Sequence, residues 1–166
     1  MKVLTLLFSL VALSVSNPLA ALAAAPLTSA DADFLKNVQQ DALGQYAIGS
    51  LAAGRAQNPR VKALAKAIAA NATSANEALK KIASAHGVAP ESKPTTRASY
   101  QYSNLSETSG PSFDQAFVGQ IGTDASIAAD TYADYAAHGS NAELRSLAKQ
   151  QAAALKALAA QAQSIK

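Results

Sequence analysis

The stretch HGVAPESKPTTRASYQYSNLSETSGPSF, residues 86–113, decides how the rest of the chain is arranged. It separates two pairs of long alanine-rich segments, and its Gly87 and Pro111 mark a helix end and a helix start, because glycine suits the residue past a C-terminus and proline suits the first turn. Helices of roughly 27 residues are about 40 Å long, and a link from Val88 to Pro111 covers that distance even when part of it coils. The link therefore crosses the whole assembly, and the helices on either side of it run parallel. A short return would leave them antiparallel, as in a simple up-and-down bundle. Tyr100, Tyr102 and Leu105 are expected in a short helix packed on the outside, since a structureless link of this length is unusual in a compact domain. Disorder is expected around Pro90–Thr96.

On either side the punctuation is plain. Thr28 or Ser29 caps a first helix that begins near Ala30, carries Asp31 and Asp33 in its first turn where negative charge suits the dipole, and runs to about Gln57. Asn58-Pro59 closes it and opens the second, with Asn as cap and Pro at the first helical position. The second ends at His86-Gly87, Pro111-Ser112 opens a third that ends at His138-Gly139, and Ser140-Asn141 caps a fourth that reaches the C-terminus. Apolar residues recur at three and four: Phe34, Val38, Ile48, Leu51 and Ala52, then Val61, Leu64, Ile68, Leu79 and Ile82. Phe113, Phe117, Ile121, Ile127 and Tyr135 mark the third helix, and Leu144, Leu147, Leu155, Leu158 and Ile165 the fourth. The expected fold is all-α, a ferritin-like four-helix bundle with a long crossover between helices two and three. Gly44, Gly49, Gly54, Gly119 and Gly122 either let backbones approach closely or weaken their helices, with close packing preferred.

The first residues address the chain. Lys2, the apolar run Val3–Val15 and the small residues Ala21-Leu22-Ala23 read as a secretory signal, with cleavage expected after Ala23. Asn17-Pro18 interrupts the run well short of the roughly 20 apolar residues of a membrane span. The expected organisation is a signal peptide at 1–23, a flexible segment at 24–30 and a bundle at 31–166, with the crossover at about 88–111. No cysteine is present, so neither lipidation nor a disulfide holds the mature chain. A periplasmic or secreted protein without a transmembrane segment in the mature chain is expected. The formal charge of +3, which falls by one with Lys2, is too slight for a nucleic-acid partner. The second helix is mainly basic and the third acidic, which would help place them side by side, although most of these charges read as ordinary solvated faces worth little each.

Several of these segments resemble the exported bacterial family catalogued as domain of unknown function 4142. The resemblance rests on Asp33-Phe34, Ile48-Gly49-Ser50-Leu51-Ala52, Val61-Lys62-Ala63-Leu64-Ala65, Leu79 with Ala83 and Gly87-Val88, and above all Gly110-Pro111-Ser112-Phe113-Asp114-Gln115-Ala116-Phe117. It covers essentially the mature chain and implies a ferritin-like, exported protein with no general activity to transfer. Members typically carry a Glu in the first helix, an Asp-His pair in the second, and a His in each of the third and fourth. Gln45, Asn71-Ala72, Ala125 and Leu158 stand at those places, and only Asp124 keeps a possible ligand.

Gln45, Asn71, Asp124 and Gln151 each fall on or beside an apolar stripe near mid-helix, and Gln120 lies one turn before Asp124. An interior polar layer that sets helix register is expected, as isolated core polar residues do in coiled coils. No metal or other cofactor is expected: one carboxylate among neutral amides suits transition metals poorly, and no Glu-x-x-His occurs. His86 and His138 are read as helix-terminal residues beside the negative dipole end, with no catalytic residues assigned. The sequence thus points to an exported, non-catalytic envelope protein with a structural or interaction role and a possible envelope protein partner. The alternative is a small-molecule or metal carrier using the mid-bundle polar site.

Overall fold

Side-chain caps and glycines set the helix boundaries in the computed structural model, which describes residues 26–165. The signal segment, its scissile bond and the start of the segment at 24–30 lie outside the described residues. Helix α1 spans Ser29–Arg55. Thr28 is its cap in a reciprocal box with Asp31, so ordered helix starts slightly earlier than Asp31, and Arg55 ends it before Gln57. Helix α2 spans Pro59–Ala85, capped by Asn58 with Pro59 at its start. Gly87 follows with φ +68, a conformation that a Cβ would strain. Helix α3 spans Thr96–Ser106 inside the crossover. Helix α4 spans Gly110–His138, and α5 spans Ala142–Gln163 with Asn141 as its cap. All regular structure among the described residues is helical, and no helix among them is long and apolar enough to cross a membrane.

Contacts at the two ends fix the helix directions. At one end Asp31 of α1 meets Ser140 and Asn141 of the α4–α5 turn, and Asn141 also reaches His86 past α2. At the other, Asp114 of α4 meets Gln57 and Asn58 of the α1–α2 turn, and Arg60 of α2 reaches Ser164 past α5. Helices α2 and α4 therefore run the same way, and the crossover spans the assembly. Helix α1 packs along α2 and α4 along α5, while α2 meets α5 and α1 meets α4. The basic α2 and acidic α4 consequently sit on a diagonal, contrary to the side-by-side expectation. Apolar burial and end clamps decide adjacency here, and exposed charges contribute little.

The two carboxylate clamps repeat one design. Buried Asp31 is 3% exposed and accepts hydrogen bonds from Thr28, from the Tyr135 hydroxyl, and from Ser140 and Asn141. Burial alone would raise its pKa, but the bonds from Ser140, Tyr135 and Thr28 outweigh that and hold the carboxyl well below its ordinary value. Asp114 accepts from the backbone N–H groups of Gln57 and Asn58 at 3.2 and 2.7 Å. Each hairpin thus donates the orphan N–H groups of its turn to an aspartate in the first turns of the other. The correspondence runs through the sequence at one constant spacing: Asp31 with Asp114, Phe34 with Phe117, Asp41 with Asp124, Asn58 with Asn141, Leu64 with Leu147. This internal repeat is the signal that a reading by single helices passes over.

The crossover helix is present and buries Leu105 as expected, but not the two tyrosines. Ala98 and Leu105 are buried, whereas Tyr100 is 68% exposed and Tyr102 39%. Gly44 admits α3: a Cβ there would lie 2.4 Å from the Ala98 Cβ. Glycine also brings α1 close to α2, since a Cβ on Gly49 would stand 3.0 Å from the Ala65 carbonyl oxygen and the Ala69 amide nitrogen. Gly122 faces Ala162 similarly, but Gly54 and Gly119 face open space, so close packing accounts for Gly44, Gly49 and Gly122 but not for the other two. Ile127, assigned to the core stripe, is 49% exposed. Six residues beyond Ile121 is off the three-and-four spacing, and the turn carries it outward.

Gly49→Ala is expected to lower unfolding stability because its contacts are backbone atoms that cannot yield. Gly54→Ala is expected to raise stability by about 0.5–1 kcal/mol through helix propensity alone; urea denaturation of the pair checks both signs. Asp31→Asn should cost about 2 kcal/mol at pH 7, the scale of hydrogen bonds to a charged group. Because the folded pKa is depressed, that stabilisation is complete above the ordinary carboxylate pKa and is lost as pH falls below about 4. Denaturation series from pH 7 to pH 2 should show the wild type and variant converging on the acid side.

Candidate functional site

The core is divided at mid-bundle. One buried apolar cluster gathers Leu35, Leu79, Tyr132, Leu144 and Leu155, and the other Ile48, Leu64, Ile68, Phe113 and Phe117. Helix α1 passes between them from Ala42 to Ile48, α2 from Ile68 to Leu79, and α4 from Ile121 to Ala125. Those gaps hold Gln45, Asn71 and Asp124. Leucine-sized side chains give way there to amides and carboxylates that must find partners or water.

The structure joins two of the five expected layer residues directly. Asn71 Nδ2 donates to Gln151 Oε1 at 3.1 Å, and both line a cavity of about 10 Å³ with Asp41, Gln45 and Tyr132. Asp124 is engaged elsewhere. Its two carboxylate oxygens accept from Arg97 at 2.5 Å and Gln101 at 2.9 Å, both on α3. Gln120 is not part of this set, and its Nε2 is buried with no partner among the described residues. Ala72 and Ala125 are buried, and Leu158 packs against both clusters. Of the positions singled out by the family resemblance, these three turn apolar side chains to the interior, whereas Gln45 and Asn71 keep polar ones.

Asp41 and Gln39 are the polar residues that helix-by-helix reading overlooked. Gln39 is 0% exposed and accepts from the Glu91 backbone N–H at 3.4 Å, beside a bond from Gln40 to the Glu91 carboxylate. These contacts tether the irregular start of the crossover, the segment where disorder was expected. Asp41 lies one turn before Gln45 on α1, just as Arg97 lies one turn before Gln101 on α3, so each helix turns two polar groups to one side. These four and Asp124 line a cavity of about 90 Å³ beneath α3, between α1 and α4. Constant spacing of Asp41 and Asp124 in the repeat would have flagged the pair.

The electrostatics of the cavity are unbalanced. Arg97 pairs with Asp124, whose side chain is 17% exposed against 62% for the guanidinium. Burial pushes the Asp124 carboxyl up, and Arg97 and Gln101 only partly offset it. Asp41 is exposed to solvent at the cavity mouth, yet partial desolvation raises its carboxyl too, with Arg97 lowering it and the Asp124 charge raising it. The cavity thus sets two carboxylates against one guanidinium, with Asp41 on its solvent side. Tyr132, above Asp41, has its phenol pushed up by burial and by the Asp41 charge. Among the described residues no group of three or more His, Cys, Asp or Glu converges to hold a metal ion.

The histidines lie away from this cavity, at one end. His86 is the C-cap of α2 with its ring 3.4 Å from the Asn141 amide. His138 ends α4 with Nδ1 3.0 Å from the Asp134 carboxylate. Both places are adjacent to helix C-terminal carbonyls that favour a cation.

A solved structure, the crystal structure of a DUF305 fragment from Deinococcus radiodurans, is similar with a TM-score of 0.75. It is 14% identical, and the match covers 84% of this chain and 97% of that one, a likeness of fold alone. No match was found among curated proteins. The family model described as Domain of unknown function (DUF4142) matches residues 16–165, and the chain belongs to that family.

Proposed function

We propose that the chain is an exported, ferritin-like helical bundle of the cell envelope, non-catalytic, with a structural or interaction role toward another envelope protein. The observation that carries this reading is where the buried polar groups are used. Asp31 and Asp114 clamp opposite hairpins, Asn71 joins Gln151 across α2 and α5, and Asp124 holds the crossover helix through Arg97 and Gln101. Each hydrogen bond ties one helix to another, which is what a rigid, register-specific scaffold requires. The parallel α2 and α4 across a spanning crossover support the ferritin-like arrangement, and the Lys2 to Ala23 segment supports export.

A second reading, the small-molecule carrier, is favoured by one feature. Asp41 and Gln45 line both mid-bundle cavities and leave polar capacity that the scaffold does not use.

Protein recovered from outside the cytoplasm of its own host should begin at Ala24 by intact mass, and native mass spectrometry of the same sample reports any retained ligand. An intact residue 1–23 segment on cytoplasmic protein would defeat the export reading. A stoichiometric small ligand would move the assignment from scaffold to carrier.

A further inference from the structure

Two cavities meet at mid-bundle through a shared wall. The outer one, about 90 Å³, opens beneath α3; the inner one, about 10 Å³, holds about one water-sized probe. Asp41 and Gln45 belong to both. At the inner end stands Tyr132, 5% exposed.

The lining selects the sign and size of an occupant. Two carboxylates, Asp41 and Asp124, face one guanidinium, and Arg97 is placed on Asp124, so the charge left over is a single negative one at Asp41. An anion is disfavoured by that balance. A divalent metal ion favours six or more oxygen ligands and would lie beside the Arg97 cation, which repels it. Around the polar groups, Ile48, Ile121 and the half-exposed Ile127 form an apolar wall. The volume equals that of about three waters.

We propose that this cavity binds a short primary alkylammonium ion, its three N–H donors directed to the Asp41 carboxylate and the Gln45 amide oxygen, its carbon chain against Ile48, Ile121 and Ile127. The proposal deepens the carrier reading and rests on it. An ammonium head supplies the donors that Asp41 and Gln45 lack, and a chain of about three carbons covers the isoleucines.

The test is titration of the mature protein with n-propylammonium chloride at pH 7 and low ionic strength, followed by calorimetry and by amide chemical shifts. The expected result is saturable 1:1 binding, with shifts centred on Asp41, Gln45, Ile121 and Ile127. Asp41→Asn should weaken binding at least tenfold with unchanged circular dichroism. Ile127→Ala, at a half-exposed position, should weaken propylammonium several-fold, leave methylammonium unaffected and keep the circular dichroism unchanged. Absence of saturable binding, shifts confined to another surface, equal affinity for methyl- and propylammonium, or calcium binding in place of the amine would each overturn the assignment. A neutral or anionic ligand retained in native mass spectra would overturn it too, while leaving the carrier reading standing.

Discussion

Everything in this fold depends on two aspartates, each accepting hydrogen bonds from the turn of the opposite hairpin. Apolar stripes can hold helices together, but in an alanine-rich chain they are shallow and permit sliding, because small side chains interdigitate less than leucine does. Asp31 and Asp114 remove that freedom. Each satisfies N–H groups that a helix start leaves unpaired, and each is itself positioned by the hairpin it does not clamp. The result is a pair of end stops that set both the axial register and the neighbours of every long helix. With the ends fixed, the middle is free to carry polar residues whose contribution to stability is small or negative.

The sequence disclosed the helices well because their signals are local. Asn58-Pro59, His86-Gly87 and Asn141 act through caps and φ values that involve a few adjacent residues, and these are the features that a linear reading captures. The length of the crossover also sufficed to give its direction. What stayed hidden depends on contacts between distant segments. The exposure of Tyr100 and Tyr102 follows from Gly44 admitting Ala98, which nothing in the local pattern of residues 96–106 reveals. Charge did not place α2 beside α4, in keeping with solvated faces that are weak beside the end clamps.

The candidate site was half legible. Gln45, Asn71, Asp124 and Gln151 stood out as polar residues near apolar stripes, and the structure joins Asn71 to Gln151. Asp124 was read as part of an interior polar layer, whereas the structure commits it to α3; only knowledge of where Arg97 lands would have shown that. Asp41 was overlooked because it sits at a stripe edge and neighbours no motif. Its importance emerges from its counterpart in the second hairpin, a relation visible only when the two halves are laid over one another.

That relation has a further meaning. Two like hairpins placed head against tail make a nearly even-handed vessel, in which a guest would meet the same acid from either side. The crossover arm breaks the tie. By committing its guanidinium to one acid it leaves the other unclaimed, and a cleft built from duplicated halves acquires a front and a back.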